Sequence, residues 1–278
     1  ALASTGVTLS TQAEGDATVW RLTSGPARGF AIALSDRFRV LEAEREGVTI
    51  RYHALPGSQT ARAPEVALEI AADALAAYSR RFGPYPYTEF DVVETPVSIG
   101  GYEFAGMVFV EHSLRTVGSL SQLRFIVAHE TAHQWWYSLV GSDQALNPWM
   151  DEALAQYSVA VYIRDREGEA AYRAALESFR AQYAHYIETR DDNVIGEPVT
   201  AYPSNAYFFL VYQKGPLFFA ALDEAFGYDA VNRMLRDYFA AYRYGIAEPN
   251  DMLTGFEGTL GQDLDDLFEA WVGPFAVG

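Results

Sequence analysis

The chain has 278 residues, half of them apolar, with 37 acidic against 20 basic side chains for a net charge of −17, and no cysteine. That length and apolar share suffice for a sizeable core in one large or two small domains. The acidity argues against nucleic acid and anionic membrane as partners, and the lack of thiols excludes disulfides and thiolate zinc ligands.

In chain order, the first predicted elements are strands over 18–22, 30–34, 38–43 and 48–53, where β-forming residues cluster between Gly, Pro and Ser turn signals. Four strands without a covering helix are too few to stand alone, so residues 1–58 are expected to pair with the rest or with residues outside this chain. The start, Ala1-Leu2-Ala3-Ser4-Thr5, lacks an initiator methionine and a basic leader, which suggests a fragment. No run approaches the roughly 18 apolar residues of a membrane span.

An alanine-rich helix follows from 64 to 82, stopped by Gly83-Pro84. Strands at 90–94 and 107–111 flank Gly100-Gly101, a loop able to approach a ligand closely. After residue 119 helix dominates. One helix runs from Leu120 past Leu139 to Gly141, and Asn147-Pro148 supplies the cap and first position of the next. Further helices are expected over 168–189, 205–226, 229–243 and 263–272, the last closed by Gly273-Pro274.

The motif His129-Glu130-Thr131-Ala132-His133 carries the chemistry. Four residues on a helix amount to about 40° of rotation and about 6 Å of rise, so both imidazoles project from one face and can share a metal ion. Catalytic zinc takes three protein ligands and keeps a position for water, and Glu152, near the start of the next helix, can be the third. The helix has almost no polar face and should be buried, where a cation would offset the burial of His129, His133 and the carboxylate. Glu130 is too far round the helix to be the obvious ligand and is placed to act as the base on water, with burial raising its pKa. The bland alternative is two core histidines beside a surface glutamate. His53, His112 and His185 read as surface or capping residues, and Trp135, Trp136 and Trp149 as core packing.

HETAHQWW with Trp149-Met150-Asp151-Glu152, and Pro84-Tyr85-Pro86-Tyr87, Gly100-Gly101-Tyr102-Glu103 and Tyr212-Gln213-Lys214-Gly215 in the same order, resemble the gluzincin aminopeptidases, the group that includes alanyl aminopeptidases and leukotriene hydrolase. The resemblance implies an α+β fold: a thermolysin-like zincin catalytic domain over 59–278, mostly helical with a small sheet, preceded over 1–58 by the closing strands of a truncated all-β domain. It implies one zinc ion on His129, His133 and Glu152, Glu130 as base, and Tyr212 as the phenol that stabilises the transition state. Glu103 would hold the free α-amine of a peptide, with Gly100, Gly101 and Tyr207 lining the substrate site. Tyr102 and Phe104 depart from the family's Gly-x-Met-Glu-Asn loop, which leaves side-chain preference open. Asp151 is a candidate to orient an imidazole, against an ordinary helix-start carboxylate. Two other readings remain: a thermolysin-like endopeptidase with no use for Glu103, and a non-catalytic binding module.

Overall fold

A computed structural model describes residues 1–57, 62–116, 120–203 and 205–274, with the side chains of residues 115 and 116 left aside. The expected domain boundary at 58/59 falls outside these residues. The chain forms two compact units: Ala1–Ala76 with Tyr85–Gln134, and Ala77–Pro84 with Trp135–Gly278.

The first unit begins with β1 (Leu2–Ser4), β2 (Val7–Glu14), β3 (Ala17–Thr23), β4 (Ile32–Leu34), β5 (Arg39–Arg45) and β6 (Val48–Ala54). Of these, β1 and β2 were not foreseen. β2 pairs with β3 around Gly15-Asp16, and β5 pairs with β6 around Glu46-Gly47, both residues of the latter turn having positive φ. Then come α1 (Ala63–Arg81), whose residues from Ala77 on are counted with the second unit, β7 (Glu89–Thr95), β8 (Gly101–Phe104), β9 (Met107–Glu111), α2 (His112–Thr116) and α3 (Leu120–Ala132).

A five-stranded sheet has the order β5-β6-β7-β9-β8, in which β7 runs parallel to both neighbours and β8 is an antiparallel edge. The strands of the first 58 residues thus do pair onward, since β6 bonds to β7 across the helical crossover. β7 is buried on both faces, as a central parallel strand must be. β1 and β4 lie against the sheet through Ala3, Ala31 and Ala33, which meet Val93 and Met107.

Buried polar groups in this sheet overturn one expectation, that for His53. His53 is a core residue, its Nε2 at 2.9 Å from Asp91 Oδ1, and His112 Nδ1 lies 3.2 Å from Glu94 Oε2. Glu94 also accepts hydrogen bonds from the Tyr52 hydroxyl and the Leu55 N–H, both at 2.7 Å. Partners 18 to 42 residues away in the chain absorb the polarity of these groups.

The second unit holds β10 (Val140–Gly141), α4 (Trp149–Glu167), α5 (Glu169–Ile187), α6 (Ala206–Phe209), α7 (Gly215–Phe226), α8 (Tyr228–Tyr242), β11 (Gly245–Ile246), α9 (Pro249–Leu260) and α10 (Asp265–Trp271). α4 is buried from Trp149 to Tyr162 save Glu152, and α5 and α7 pack on it. The expected helix over 205–226 carries a π-helical turn at Leu210–Lys214 between α6 and α7. α9 was not expected. Glu248 and Asp251 form its capping box and Pro249 its first position. No helix among the described residues is long and apolar enough to cross a membrane.

Asp223 on α7 accepts hydrogen bonds from the hydroxyls of Tyr157, at 2.9 Å, and Tyr172. Burial outweighs those bonds and the nearby Arg164, and pushes its carboxyl up to about 6. The native state therefore binds a proton that the unfolded chain releases, between about pH 4 and pH 6. Stability from this site is present at the low end of that window and lost as pH rises through it, by up to about 3 kcal/mol. Asp223→Asn is expected to gain stability relative to the parent between pH 4.5 and 7, read from denaturant midpoints at both values; an unchanged difference would count against the assignment.

Candidate active site

α3 ends at Ala132, well short of Gly141, where it was expected to stop. The Thr131 hydroxyl bonds back to the Val127 carbonyl, and the Gln134 N–H closes onto Thr131 O in a tighter turn. Trp135 and Trp136 then leave the helix, their indole N–H groups donating to Gly83 O and Ser158 Oγ, both at 2.9 Å. All three tryptophans of this region are core, as expected. The helix is not buried along its whole length: Leu120 is exposed, and burial begins in earnest at Val127.

His133 still receives the helical geometry, since its N–H reaches the His129 carbonyl at 3.4 Å. The two imidazoles stand at 87° with Nε2 atoms 3.1 Å apart. Two nitrogens bound to one tetrahedral zinc at 2.0–2.1 Å would be about 3.3 Å apart, so the pair fits such an ion with little adjustment. His129, Glu130, His133 and Glu103 are only 5%, 4%, 1% and 8% exposed. The bland picture of a surface glutamate beside two core histidines therefore does not hold for Glu130.

β8 brings Glu103 to the same place. It was expected to follow a loop, but Gly101 already begins the edge strand, and α3 packs against β8 and β9. Alternation along the strand turns Glu103 inward and leaves Tyr102 exposed, with its ring 5.1 Å from that of Phe104. Ligating atoms of Glu103, Glu130 and His133 lie within 4.8 Å of one another. Gly101 sits so close to Glu130 that a Cβ would overlap its Oε1, Cδ and Cγ. Gly100, at φ +86°, is held at the strand entrance by Glu111, whose carboxylate accepts its N–H at 3.0 Å.

In the second unit, Glu152 lies in the first turn of α4. Asn147 does not cap that helix. Pro148 occupies the cap position without a side-chain bond, and Asp151 Oδ1 accepts the Glu152 N–H at 2.8 Å. That bond is one a carboxylate at a helix start makes. The Tyr212 hydroxyl is hydrogen-bonded to the Glu152 carboxylate and to Tyr207, whose ring is 5.6 Å away at 77°. Burial first, then the negative charge of Glu152, holds the Tyr212 phenol well above its ordinary pKa, so it keeps its proton. Tyr207 is raised for the same reasons in the same order.

Tyr212 lies in the π turn, whose carbonyl at that residue accepts the Gln156 Nε2 at 2.9 Å. Gly215 ends the turn where a Cβ would stand 2.5 Å from that of Ala153, so only glycine lets this segment lie against α4. Lys214 Nζ ties the segment to Asp192 and Asn193 O at 2.8 and 2.7 Å. Gln134 and Gln156, which act on the backbone of these segments, were not singled out beforehand; a lone glutamine carries no periodic signal.

The model of the peptidase family M1 domain matches residues 66–271. The chain belongs to this family. Within the M1 family, aminopeptidase 2 of Candida albicans is 24% identical over 245 residues, covering 84% of this chain and 26% of that protein. The tricorn protease-interacting factor F2 of Thermoplasma acidophilum is 27% identical over 229 residues, covering 74% and 28%. An M1 zinc metallopeptidase from Deinococcus radiodurans superimposes with a TM-score of 0.77 at 19% identity, over all of this chain and 62% of that one. The mixed α+β fold is thus that of M1 peptidases. The chain spans about a quarter of the length of the curated relatives it matches.

Proposed function

We propose that this chain is the catalytic part of a zinc-dependent aminopeptidase that hydrolyses the first peptide bond of substrates with a free N-terminus. The observation that carries the reading is the buried trio of Glu103, Glu130 and His133, a second carboxylate set beside the motif's own. Two carboxylates this close in low dielectric favour a cation between them. An endopeptidase has no need of the second, whereas an α-ammonium fits it. Residues 59–278 are read as the thermolysin-like catalytic domain and residues 1–58 as the end of a preceding β-domain.

His129, His133 and Glu152 would hold the ion, and the nitrogen spacing of the histidine pair supports that reading. Zinc, when bound, supplies Lewis-acid chemistry at the scissile carbonyl and the attacking water. Glu103 accepts the substrate ammonium and so sets the distance from N-terminus to reacting carbon. Glu130 takes a proton from the attacking water and delivers it to the leaving amine nitrogen. Tyr212, kept neutral, donates its hydroxyl to the oxygen on which negative charge develops. Tyr207, bonded to that phenol, steadies it, and Gly100 and Gly101 leave room for the substrate backbone.

Tyr212→Phe is expected to lower kcat about 10²- to 10³-fold, or roughly 3–4 kcal/mol, with KM little changed. Steady-state rates on an aminoacyl amide measure this, and a loss confined to KM would move Tyr212 to a binding role. The whole reading is tested by stripping the protein with a chelator, restoring zinc, and following release from aminoacyl fluorogenic amides and their N-acetylated counterparts. Recovery on the free amides alone is expected. Equal cleavage of acetylated substrates would make it an endopeptidase, and no recovery with zinc would rule out zinc as its metal.

A further inference from the structure

Gln134 directly follows His133, is fully buried, and spends both ends of its carboxamide on the turn between β8 and β9. Nε2 donates to the Phe104 carbonyl at 2.9 Å, and Oε1 accepts the Gly106 N–H at 2.8 Å. Phe104 and Met107 pair across that turn, so Ala105 and Gly106 form its two-residue tip, with Gly106 at φ +73°. On its other side the Gly106 carbonyl accepts the Asp91 N–H at 3.0 Å. The tip is therefore held between the central strand and the residue after the second histidine.

The residue before Phe104 is Glu103, and the residue before Gln134 is His133, the two groups whose ligating atoms come within 4.8 Å of each other. The carboxamide is thus a short, two-point link between the backbone that carries the carboxylate and the backbone that carries the imidazole. β8 is a sheet edge whose one strand neighbour among the described residues is β9, and an edge strand slides more easily than a central one. We infer that Gln134 is a positioning residue for recognition of the substrate's α-amine: its carboxamide fixes the Glu103 strand in register with the histidine helix. This rests on the aminopeptidase reading, in which Glu103 receives that amine. Sub-ångström placement matters because an ammonium–carboxylate bond has to form at the distance that also sets the scissile carbonyl.

No other side chain does the same work here. Asparagine keeps the carboxamide but is one methylene shorter, so it cannot reach the Phe104 carbonyl and the Gly106 N–H together. Methionine fills the space and leaves a buried carbonyl and N–H unpaired.

The test measures amine recognition separately from metal binding. Affinities of leucine hydroxamate and of its desamino counterpart, 4-methylpentanohydroxamate, are measured by calorimetry on the zinc-loaded chain, with zinc content by metal analysis. The parent is expected to prefer the amino compound by about tenfold or more, the scale of a charge-assisted contact. Gln134→Asn and Gln134→Met should reduce that preference toward the value of Glu103→Gln, with zinc content unchanged and desamino affinity within about twofold of the parent. Were Gln134 merely structural, both compounds would weaken together and their ratio would stand. A preference preserved in Gln134→Asn overturns the inference even if Gln134→Met fails to fold. A parent showing no preference removes the aminopeptidase reading itself, and this inference with it.

Discussion

Glu130→Gln is expected to lower kcat/KM on aminoacyl amides by about 10²- to 10⁴-fold while leaving the fold and bound zinc as they are. The amide has the shape of the acid and keeps one acceptor oxygen, so the buried surroundings of residue 130 lose no volume. What it cannot do is take a proton from water and return it to the leaving nitrogen. Position separates the roles on this helix: residues 129 and 133 point their Nε2 atoms at each other, and residue 130, one step on, turns its carboxylate toward Gly101 and Glu103. The check combines steady-state rates, metal analysis and thermal melting. A variant within a few-fold of the parent would show that another group moves the proton, and one that loses zinc would show that Glu130 is a ligand.

Where one local period dominates, the chain could be read directly. The spacing of His129 and His133 follows from helical geometry alone, and β7 announces itself as a short run of Phe, Val and Val between polar residues. The placement of Glu152 followed from a proline next to a helix start, although Pro148 caps rather than begins α4. What failed to show in the sequence is equally physical. Leu139, Trp135 and Trp136 extended the apolar pattern of α3, but they are buried by contacts of their own after the chain has left the helix. The strand Val7–Glu14 does alternate, Val7, Leu9 and Ala13 against Thr8, Ser10, Gln12 and Glu14, but it is mostly exposed and its apolar face is slight. α9 had its capping box and proline in plain view, with Gly255 and Gly258 diluting its helical propensity. His53 could not be placed because its partner, Asp91, is 38 residues away. In the candidate site the chemistry-bearing side chains were legible, and the groups that hold their backbones, Gln134 and Gln156, were not.

Gly101→Ala should reproduce most of the Glu130→Gln defect without touching the base itself. An added methyl would overlap the end of the Glu130 side chain, and no backbone atom is among its three nearest neighbours. The flexible carboxylate gives way more cheaply than the strand does, so stability should fall by less than about 1 kcal/mol while the base is turned from the water it must deprotonate. The expected loss in kcat is about 10²-fold or more, since misplacing a proton acceptor by an ångström forfeits most of its effect. Gly215→Ala makes the contrasting control. There the added methyl would meet Ala153 on α4, and neither segment can yield without unpacking, so the melting temperature should drop along with activity. Melting curves and kcat measured on both variants decide between the two causes: Gly101→Ala that is fully active would mean the Glu130 carboxylate works from a different rotamer, and Gly101→Ala that melts like Gly215→Ala would make Gly101 a packing residue only.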